Sequence, residues 1–332
     1  MSEIPSFQRI DYSTRTNKNV ERKIVFETLA KLRSVLPLQD YRYLGFGSLW
    51  FVDYVLAHRL VGIVNMISIE RTERADRAEF NKPYDCIEIR PGTSTEVLSA
   101  FSDSDWAIPT IAWMDYDGRF DADARSDCEK FLRSANIGSI LIVTVNANRS
   151  SYRGKDPTTS PPSIQTLREL MGDSVPVDAV TGNRQDVGAE EFPQILSRSM
   201  LNFMVSSLRT CGRGTDGYPD RFVPLFEMSH ADGATMATVG GIIVSWKQAN
   251  EIVDAQKIEA SELFAGTHRI EEALDLIPIT LKEKLTLDRM LPCESEKFRE
   301  RLRESPLKLD ESIAEKYRRL YRYFPIFAET AI

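Results

Sequence analysis

Short apolar segments alternate with longer amphipathic ones over the first half of the chain. Five apolar segments, each followed by a glycine or by a polar or charged residue, lie at 41–44, 64–69, 86–89, 110–114 and 137–145. The stretches that precede and separate them have helical character and lie at 19–35, 49–62, 71–80, 95–101 and 122–135. This alternation predicts an α/β fold with a doubly wound, mostly parallel sheet.

The second half departs from this alternation. Serine, glycine and proline are concentrated at 148–163, and helical spacing follows at 164–171 and 192–208. We therefore expect a helical insert at about 148–220. Two further apolar segments flank an Asp-Gly pair at 221–228 and 237–246, which predicts a terminal antiparallel hairpin.

This organisation predicts three parts of the chain. Residues 1–36 form an N-terminal helical segment, and 37–250 form the sheet domain with its insert. Residues 251–332 are charged, have helical spacing, and are expected to form a helical C-terminal appendage.

Composition narrows the class of protein. The chain has 332 residues, 42% hydrophobic and 27% charged, which is typical of globular proteins. No apolar run approaches the roughly 20 residues that a membrane-spanning helix needs. Because the N-terminus lacks the basic-then-apolar order of a secretory signal, we expect a cytoplasmic protein with no membrane partner. The four cysteines form no CxxC pair, which argues against a zinc knuckle.

Charge is unevenly distributed. Residues 34–280 carry 35 acidic and 23 basic side chains, whereas the flanking segments 1–33 and 281–323 are net basic. The acidic middle disfavours duplex nucleic acid as a partner, and the basic ends suit a small anionic one. Trp246, Phe324 and Phe327 are candidates for a homodimer interface.

The candidate chemistry lies where the predicted strands end, because open α/β sheets bind ligands at the carboxyl ends of their strands. Gly45 and Gly47 follow the first strand and allow a backbone turn close to a ligand. Glu70 ends the second strand, and its two carboxylate oxygens suit the two hydroxyls of a ribose. A nucleoside-containing ligand is the resulting hypothesis. Trp50 occupies the position of the third glycine of a dinucleotide fingerprint, which argues against an NAD-linked enzyme.

These residues resemble the class I S-adenosylmethionine-dependent methyltransferases, in their O-methyltransferase-like branch. The resemblance covers about 40–147, with the hairpin as a further part, and rests on the motifs YLGFGS, SIE and MDYDG. It implies a Rossmann-like fold in which the glycine segment faces the methionine end of the cofactor and Glu70 faces the ribose. Thr93 or a neighbour would face the adenine, and Asp115 the sulfonium and the acceptor. The implied cofactor residues are Gly45, Phe46, Gly47, Ser48, Glu70, Thr93 and Asp115.

The same resemblance suggests a divalent metal. Asp115, Asp117 and Asn146 resemble the oxygen ligands of the metal-dependent O-methyltransferases, and Mg²⁺ prefers such ligands. The alternative is that the two aspartates cap a helix and shape a turn beside Gly118.

A catalytic base is less clearly indicated. Of the three histidines, His230 lies at the hairpin turn and is the first candidate base. Asp115 is the other candidate catalytic residue. His58 is expected to be packed in the core, and His268 follows the Gly-Thr pair at 266–267. The leading helix either closes over the cofactor as a lid or is a simple surface helix. Its polar and basic residues are Arg15, Lys18, Asn19, Arg22 and Lys23.

Two functions of different classes follow. The first is an S-adenosylmethionine-dependent methyltransferase acting on an oxygen of an unidentified acceptor. No NPPY-type or DPPY-type tetrapeptide follows the fourth strand, which argues against methylation of the exocyclic amine of adenine or cytosine and leaves an oxygen acceptor open. The second is a methyltransferase-like nucleotide-binding sensor or assembly subunit without turnover. An NAD-linked enzyme requires that Trp50 be tolerated in place of glycine.

Overall fold

The computed structural model describes residues 15–153, 161–180, 185–215, 217–248 and 270–325. Its strands are β1 (Arg42–Phe46), β2 (Asn65–Glu70), β3 (Ile87–Pro91), β4 (Thr110–Asp115), β5 (Ile140–Asn146), β6 (Gly214–Thr215), β7 (Tyr218–Pro219), β8 (Arg221–Ala231), β9 (Thr235–Val244) and β10 (Ile270–Leu274). Its α-helices are α1 (Thr16–Leu32), α2 (Val52–Leu56), α3 (Ala75–Asn81), α4 (Ser94–Ala100), α5 (Asp103–Trp106), α6 (Ala122–Ser134), α7 (Ser163–Met171), α8 (Phe192–Thr210), α9 (Leu281–Asp288), α10 (Ser295–Glu304) and α11 (Glu311–Leu320).

One mixed sheet of eight strands organises the described residues. Its strand order is β10-β8-β9-β5-β4-β1-β2-β3, and β1 to β5 are all parallel. Strand β9 runs antiparallel between β5 and β8. The predicted doubly wound, mostly parallel sheet with a terminal antiparallel hairpin is confirmed. Sequence analysis predicted only helices beyond residue 250, whereas β10 adds an edge strand parallel to β8.

Both faces of the central strands are buried. On β5, Leu141 and Val143 pack into the cluster that includes α6 and α8, whereas Ile140 and Ile142 pack into the cluster that includes α1. Successive side chains of a strand point to opposite faces, so a strand covered on both sides has to be apolar throughout. This explains the continuous apolar run that marks β5 in the sequence.

The segment after β1 differs from its prediction. Helical character was predicted over 49–62, but α2 starts at Val52 and its preceding residue, Phe51, adopts φ 46° without a side-chain cap. The helix continues as a π-helical turn over Ala57–Val61. Trp50 and Leu60 are 48% and 44% exposed, so this segment is only partly buried.

A smaller cluster of buried residues holds the C-terminal helices together. Leu287, Phe298, Ala314 and Tyr317 form its centre, contributed by α9, α10 and α11. None of the helices within the described ranges is long and apolar enough to cross a membrane.

Strand β9 leaves no room for a side chain at Gly241. A Cβ there would lie 2.5 Å from the carbonyl oxygen of Val223. We expect Gly241→Ala to lower the free energy of unfolding by about 1–3 kcal/mol, since the strands must separate locally. Gly118→Ala is the matched control, because a Cβ at Gly118 meets nothing within 4 Å. Urea unfolding of the two variants checks this, and equal stabilities would contradict it.

Candidate functional site

The glycine segment, residues 45–48, lies at the point where the strand order reverses. Strand β1 sits between β4 and β2, and the chain leaves its carboxyl end through Gly45, Phe46, Gly47 and Ser48. Tyr54 anchors the carboxyl end of β1, because its hydroxyl donates a hydrogen bond to the carbonyl oxygen of Gly45 at 2.8 Å. Ligands of open α/β sheets bind at this kind of reversal.

Gly47 is required by a close approach to the neighbouring strand. Any Cβ at this position would overlap the carboxylate of Glu70 and the hydroxyl of Ser68. The backbone N–H of Gly47 donates to the carbonyl oxygen of Ile69 at 3.3 Å. The glycine therefore allows the segment after β1 to lie directly against the end of β2.

Glu70 presents a buried carboxylate with unused acceptor capacity. The residue is 4% exposed, and neither its Oε1 nor the Ser68 hydroxyl has a hydrogen-bond partner among the described residues. Burial raises the pKa of Glu70 to about 7, although the charge of Arg74 acts in the opposite direction. A buried acceptor without a partner is costly unless a ligand supplies donors. An acceptor of this kind is compatible with the ribose diol that the resemblance implies, and the contact itself stays a prediction.

Thr93 lies after β3 and is used locally. Its hydroxyl accepts from the backbone N–H of Glu96, and its own backbone N–H donates to the Glu96 carboxylate at 2.7 Å, which forms a capping box at the start of α4. The N–H of Gly92 donates to the carbonyl oxygen of Glu70 at 2.7 Å. The segment is thus attached to the end of β2, while a contact between Thr93 and adenine stays a prediction.

Asp115 ends β4 and is paired with a lysine from the N-terminal helix. Lys18 Nζ lies 3.0 Å from Asp115 Oδ2 and 2.9 Å from Glu21 Oε2, with the ring of Trp113 4.8 Å away. Burial alone would lower the pKa of Lys18, but the carboxylates of Asp115 and Glu21 outweigh it and raise that pKa. Lys18 therefore stays charged between two acids.

His230 continues this chain of charges. Its Nδ1 lies 3.1 Å from Glu21 Oε1, and both side chains are almost completely buried. Burial alone would raise the pKa of Glu21, but His230 and Lys18 outweigh it and hold that pKa well below its usual range. We define the charge chain as Asp115, Lys18, Glu21 and His230. It brings together both predicted catalytic residues at the carboxyl edge of the sheet, although they are linked through α1 rather than in contact.

Helix α1 is attached to the hairpin turn at its first turn. The Asp232 carboxylate accepts from the backbone N–H groups of Asn17 and Lys18, at 3.2 and 2.8 Å. Negative charge at a helix N-terminus is favourable, because the first N–H groups have no partner within the helix. Arg22 forms a second ion pair, with Asp53 at 2.6 Å. The leading helix is thus not the simple surface helix that was one of the two expectations: its apolar side packs on the sheet, and its first turn lies at the strand ends.

The predicted magnesium ligands do not fit a metal site. Asp115 is paired with Lys18, and Asp117 is exposed. The side-chain oxygen of Asn146 already accepts from the N–H of Asn148 at 2.9 Å. Within the part of the chain that the structure describes, no group of three or more His, Cys, Asp or Glu side chains could hold a metal ion.

The remaining candidates are placed as follows. His58 is packed as expected, with its ring 4.4 Å from that of Tyr84, and His268 lies outside the described residues. Of the interface candidates, Trp246 is covered by the guanidinium of Arg221 at 3.5 Å, and Phe324 packs on Tyr317. Phe327 lies outside the described residues, and a homodimer stays a prediction.

Sequence reasoning missed two buried acids, Glu21 on α1 and Asp127 on α6. Their side chains lie in residues that are 0% and 1% exposed. The signal for Glu21 was its spacing, since an acid three residues after Lys18 can pair with it on one helix face. No comparable signal marks Asp127, because its partners come from distant segments.

The amino-acid sequence matches one known protein family. Residues 10–332 match a family described as "Putative O-methyltransferase". The chain belongs to this methyltransferase family. The prediction of a class I, S-adenosylmethionine-dependent methyltransferase is therefore confirmed at the level of family and fold. No curated protein matches the chain in sequence.

Solved structures share parts of this methyltransferase's architecture. Trm1 from Pyrococcus horikoshii, solved with S-adenosyl-L-methionine, has 12% identity and a TM-score of 0.45, and the match covers 74% of this chain and 61% of that one. A "probable spermidine synthase" from Corynebacterium glutamicum has 11% identity and a TM-score of 0.35, with 51% and 58% covered. A precorrin-6y C5,15-methyltransferase from Geobacter metallireducens has 12% identity and a TM-score of 0.33, with 67% and 87% covered. At these scores the similarities carry no argument about the site.

The lowered pKa of Glu21 predicts an acid-sensitive contribution to stability. An ionised group with a lowered folded-state pKa stabilises the fold above its ordinary pKa of about 4.3, and this contribution is lost as the pH falls further. We expect Glu21→Gln to have a flatter dependence of unfolding free energy on pH than the wild type between about pH 5 and pH 3. Parallel wild-type and variant slopes would contradict this. Glu27→Gln on the same helix, where Glu27 pairs with Lys31 in a half-buried position, is the control and should keep the wild-type slope.

Proposed function

We propose that this protein transfers a methyl group from S-adenosylmethionine to an oxygen atom of its acceptor. The observation that carries the proposal is Oε1 of Glu70, which is buried without a hydrogen-bond partner among the described residues and lies directly against Gly47. Membership of a family described as O-methyltransferases supports the choice of oxygen.

In this proposal, the cofactor lies across the carboxyl ends of β1 and β2. Glu70 accepts hydrogen bonds from the two ribose hydroxyls, which relieves its unsatisfied burial. Gly45 and Gly47 let the backbone approach the methionine end, and Phe46 and Ser48 flank it. S-adenosylmethionine supplies an electrophilic methyl group on a sulfonium centre.

The acceptor is placed beside Asp115. Lys18 holds Oδ2 of this carboxylate at 3.0 Å, and the side chain is still 26% exposed. The second carboxylate oxygen can therefore accept a hydrogen bond from an acceptor hydroxyl and remove its proton. A new O–CH₃ bond forms as the S–CH₃ bond breaks, and the hydroxyl proton passes to Asp115. His230, through Glu21 and Lys18, helps to fix this arrangement.

A sensor or assembly subunit without turnover is the alternative. It would use the same cofactor site but form no methylated product. The exposed side of the Asp115 carboxylate favours turnover, since a pure binding site has no use for a base held next to the glycine segment.

The cofactor part of the proposal predicts pH-dependent binding. Ionised carboxylates accept stronger hydrogen bonds than neutral ones, and burial raises the pKa of Glu70 to about 7. We expect the affinity for S-adenosylmethionine to rise between about pH 6 and pH 8 and then to level off. Glu70→Gln should bind about tenfold more weakly, with no pH dependence in this range.

Isothermal titration calorimetry across this pH range measures these affinities. Glu73→Gln is the matched control, because this acid is exposed on the next turn of the chain. Wild-type affinity in Glu70→Gln would rule out the proposed ribose site.

The acceptor part predicts transfer to oxygen. We expect methyl-tritiated S-adenosylmethionine to label phenols, alcohols or carboxylic acids in a panel that also contains amines. Asp115→Asn should lower kcat by about 10²-fold or more, because it removes the base. Asp117→Asn, which changes an exposed acid two residues away, is the control. Labelling of amines alone would refute oxygen transfer, and cofactor binding without any product would favour the sensor.

A further inference from the structure

Asp127 receives three hydroxyl groups from two separate segments of the chain. It lies on α6 and is 1% exposed. Ser94 Oγ and Thr95 Oγ1, at the start of α4, donate to its two carboxylate oxygens at 2.5 and 2.7 Å. The Tyr116 hydroxyl, directly after β4, donates to Oδ2 at 2.7 Å. One buried carboxylate thus joins the segment after β3 to the segment after β4.

Tyr116 extends this connection to the glycine segment. Its ring meets the ring of Phe46 edge to face, with centroids 4.9 Å apart. Asp127 therefore fixes three segments that lie around the end of β2, those following β1, β3 and β4. Within the described ranges, Asp127 pairs with hydroxyl groups and with no cation. Its buried carboxylate oxygens keep their partners only while both donor segments, those after β3 and β4, keep their positions.

The position of this cluster determines which end of a nucleoside it would face. Glu70 lies at the end of β2, and the segment after β3 is tied to it through the N–H of Gly92. A ribose held by Glu70 carries two substituents, and the one at the sulfonium side has to reach Asp115. The other substituent, the base, is then directed to the side of the segments after β3 and β4 that Asp127 joins, which we call the slot for the base.

We propose that Asp127 is a positioning residue for the nucleobase, which it serves by holding the segments after β3 and β4 at a fixed separation. This inference rests on the proposed function, because it assumes S-adenosylmethionine at Glu70. Asp127 does not touch the ligand in this arrangement. Without its carboxylate, Ser94, Thr95 and Tyr116 lose their common acceptor, and the slot for the base loses its shape.

The test compares a ligand that has the base with one that lacks it. We would measure the dissociation constants of S-adenosylhomocysteine and S-ribosylhomocysteine, which share the ribose diol and the amino acid. The variants are Asp127→Asn and Tyr116→Phe, of which the second removes one hydrogen bond, keeps the ring and protects the test against misfolding of the first. Asp121→Asn is the matched control on the same helix, since Asp121 caps only its own helix.

We expect Asp127→Asn to weaken S-adenosylhomocysteine by about tenfold and S-ribosylhomocysteine by less than twofold. Tyr116→Phe should show the same selectivity with a smaller loss, and Asp121→Asn should match the wild type. An equal loss for both ligands, or no loss in either variant, would overturn the proposal while the wild type still binds both ligands. If the wild type binds neither ligand, the proposed function is itself wrong and this inference falls with it.

Discussion

A lysine buried between two carboxylates sets the position of the N-terminal helix. The side chain of Lys18 is 3% exposed, with Glu21 on one side and Asp115 on the other. Charges in such surroundings persist only when they are paired, and removing one partner of a buried pair typically costs several kcal/mol. A shift of α1 along the sheet would separate Lys18 from Asp115, so the helix has one favourable position. That position places the first turn of α1 at the strand ends and makes it part of the site.

The sheet collects the polar residues of this site at one edge. Strands buried on both faces have few polar positions in their interior, and most of the polar side chains therefore follow where the strands end. Glu70, Asp115 and Asn146 each end a parallel strand, and His230 lies one residue before the end of β8. Four distant parts of the chain are brought to one edge of the sheet in this way, without any motif that links them in sequence.

The proposed cofactor site contains buried polar atoms without hydrogen-bond partners within the described part of the chain. Glu70 Oε1 and the Ser68 hydroxyl are buried without partners in the described structure, next to a glycine that cannot be replaced without overlap. By contrast, the Glu21 carboxylate lies 2.9 Å from Lys18 Nζ and 3.1 Å from His230 Nδ1, and the Asp127 carboxylate accepts from three hydroxyl groups. The charge of Glu21 is thus paired within the protein, and the oxygens of Asp127 have partners there, whereas Glu70 is the acid that we propose for a ligand.

The sequence by itself determined the sheet, because continuous apolar runs follow directly from strands covered on both faces. It also identified Gly47, Glu70 and Asp115, since residues at strand ends are local features of the chain. Only the tertiary structure decided that Asp115 is paired with Lys18 rather than available to a metal ion, and that Glu21 and Asp127 are buried. The partners of these acids lie 11 to 209 residues away in the chain, apart from Lys18 beside Glu21. Contacts over such separations depend on how the helices pack, which no local pattern of residues encodes.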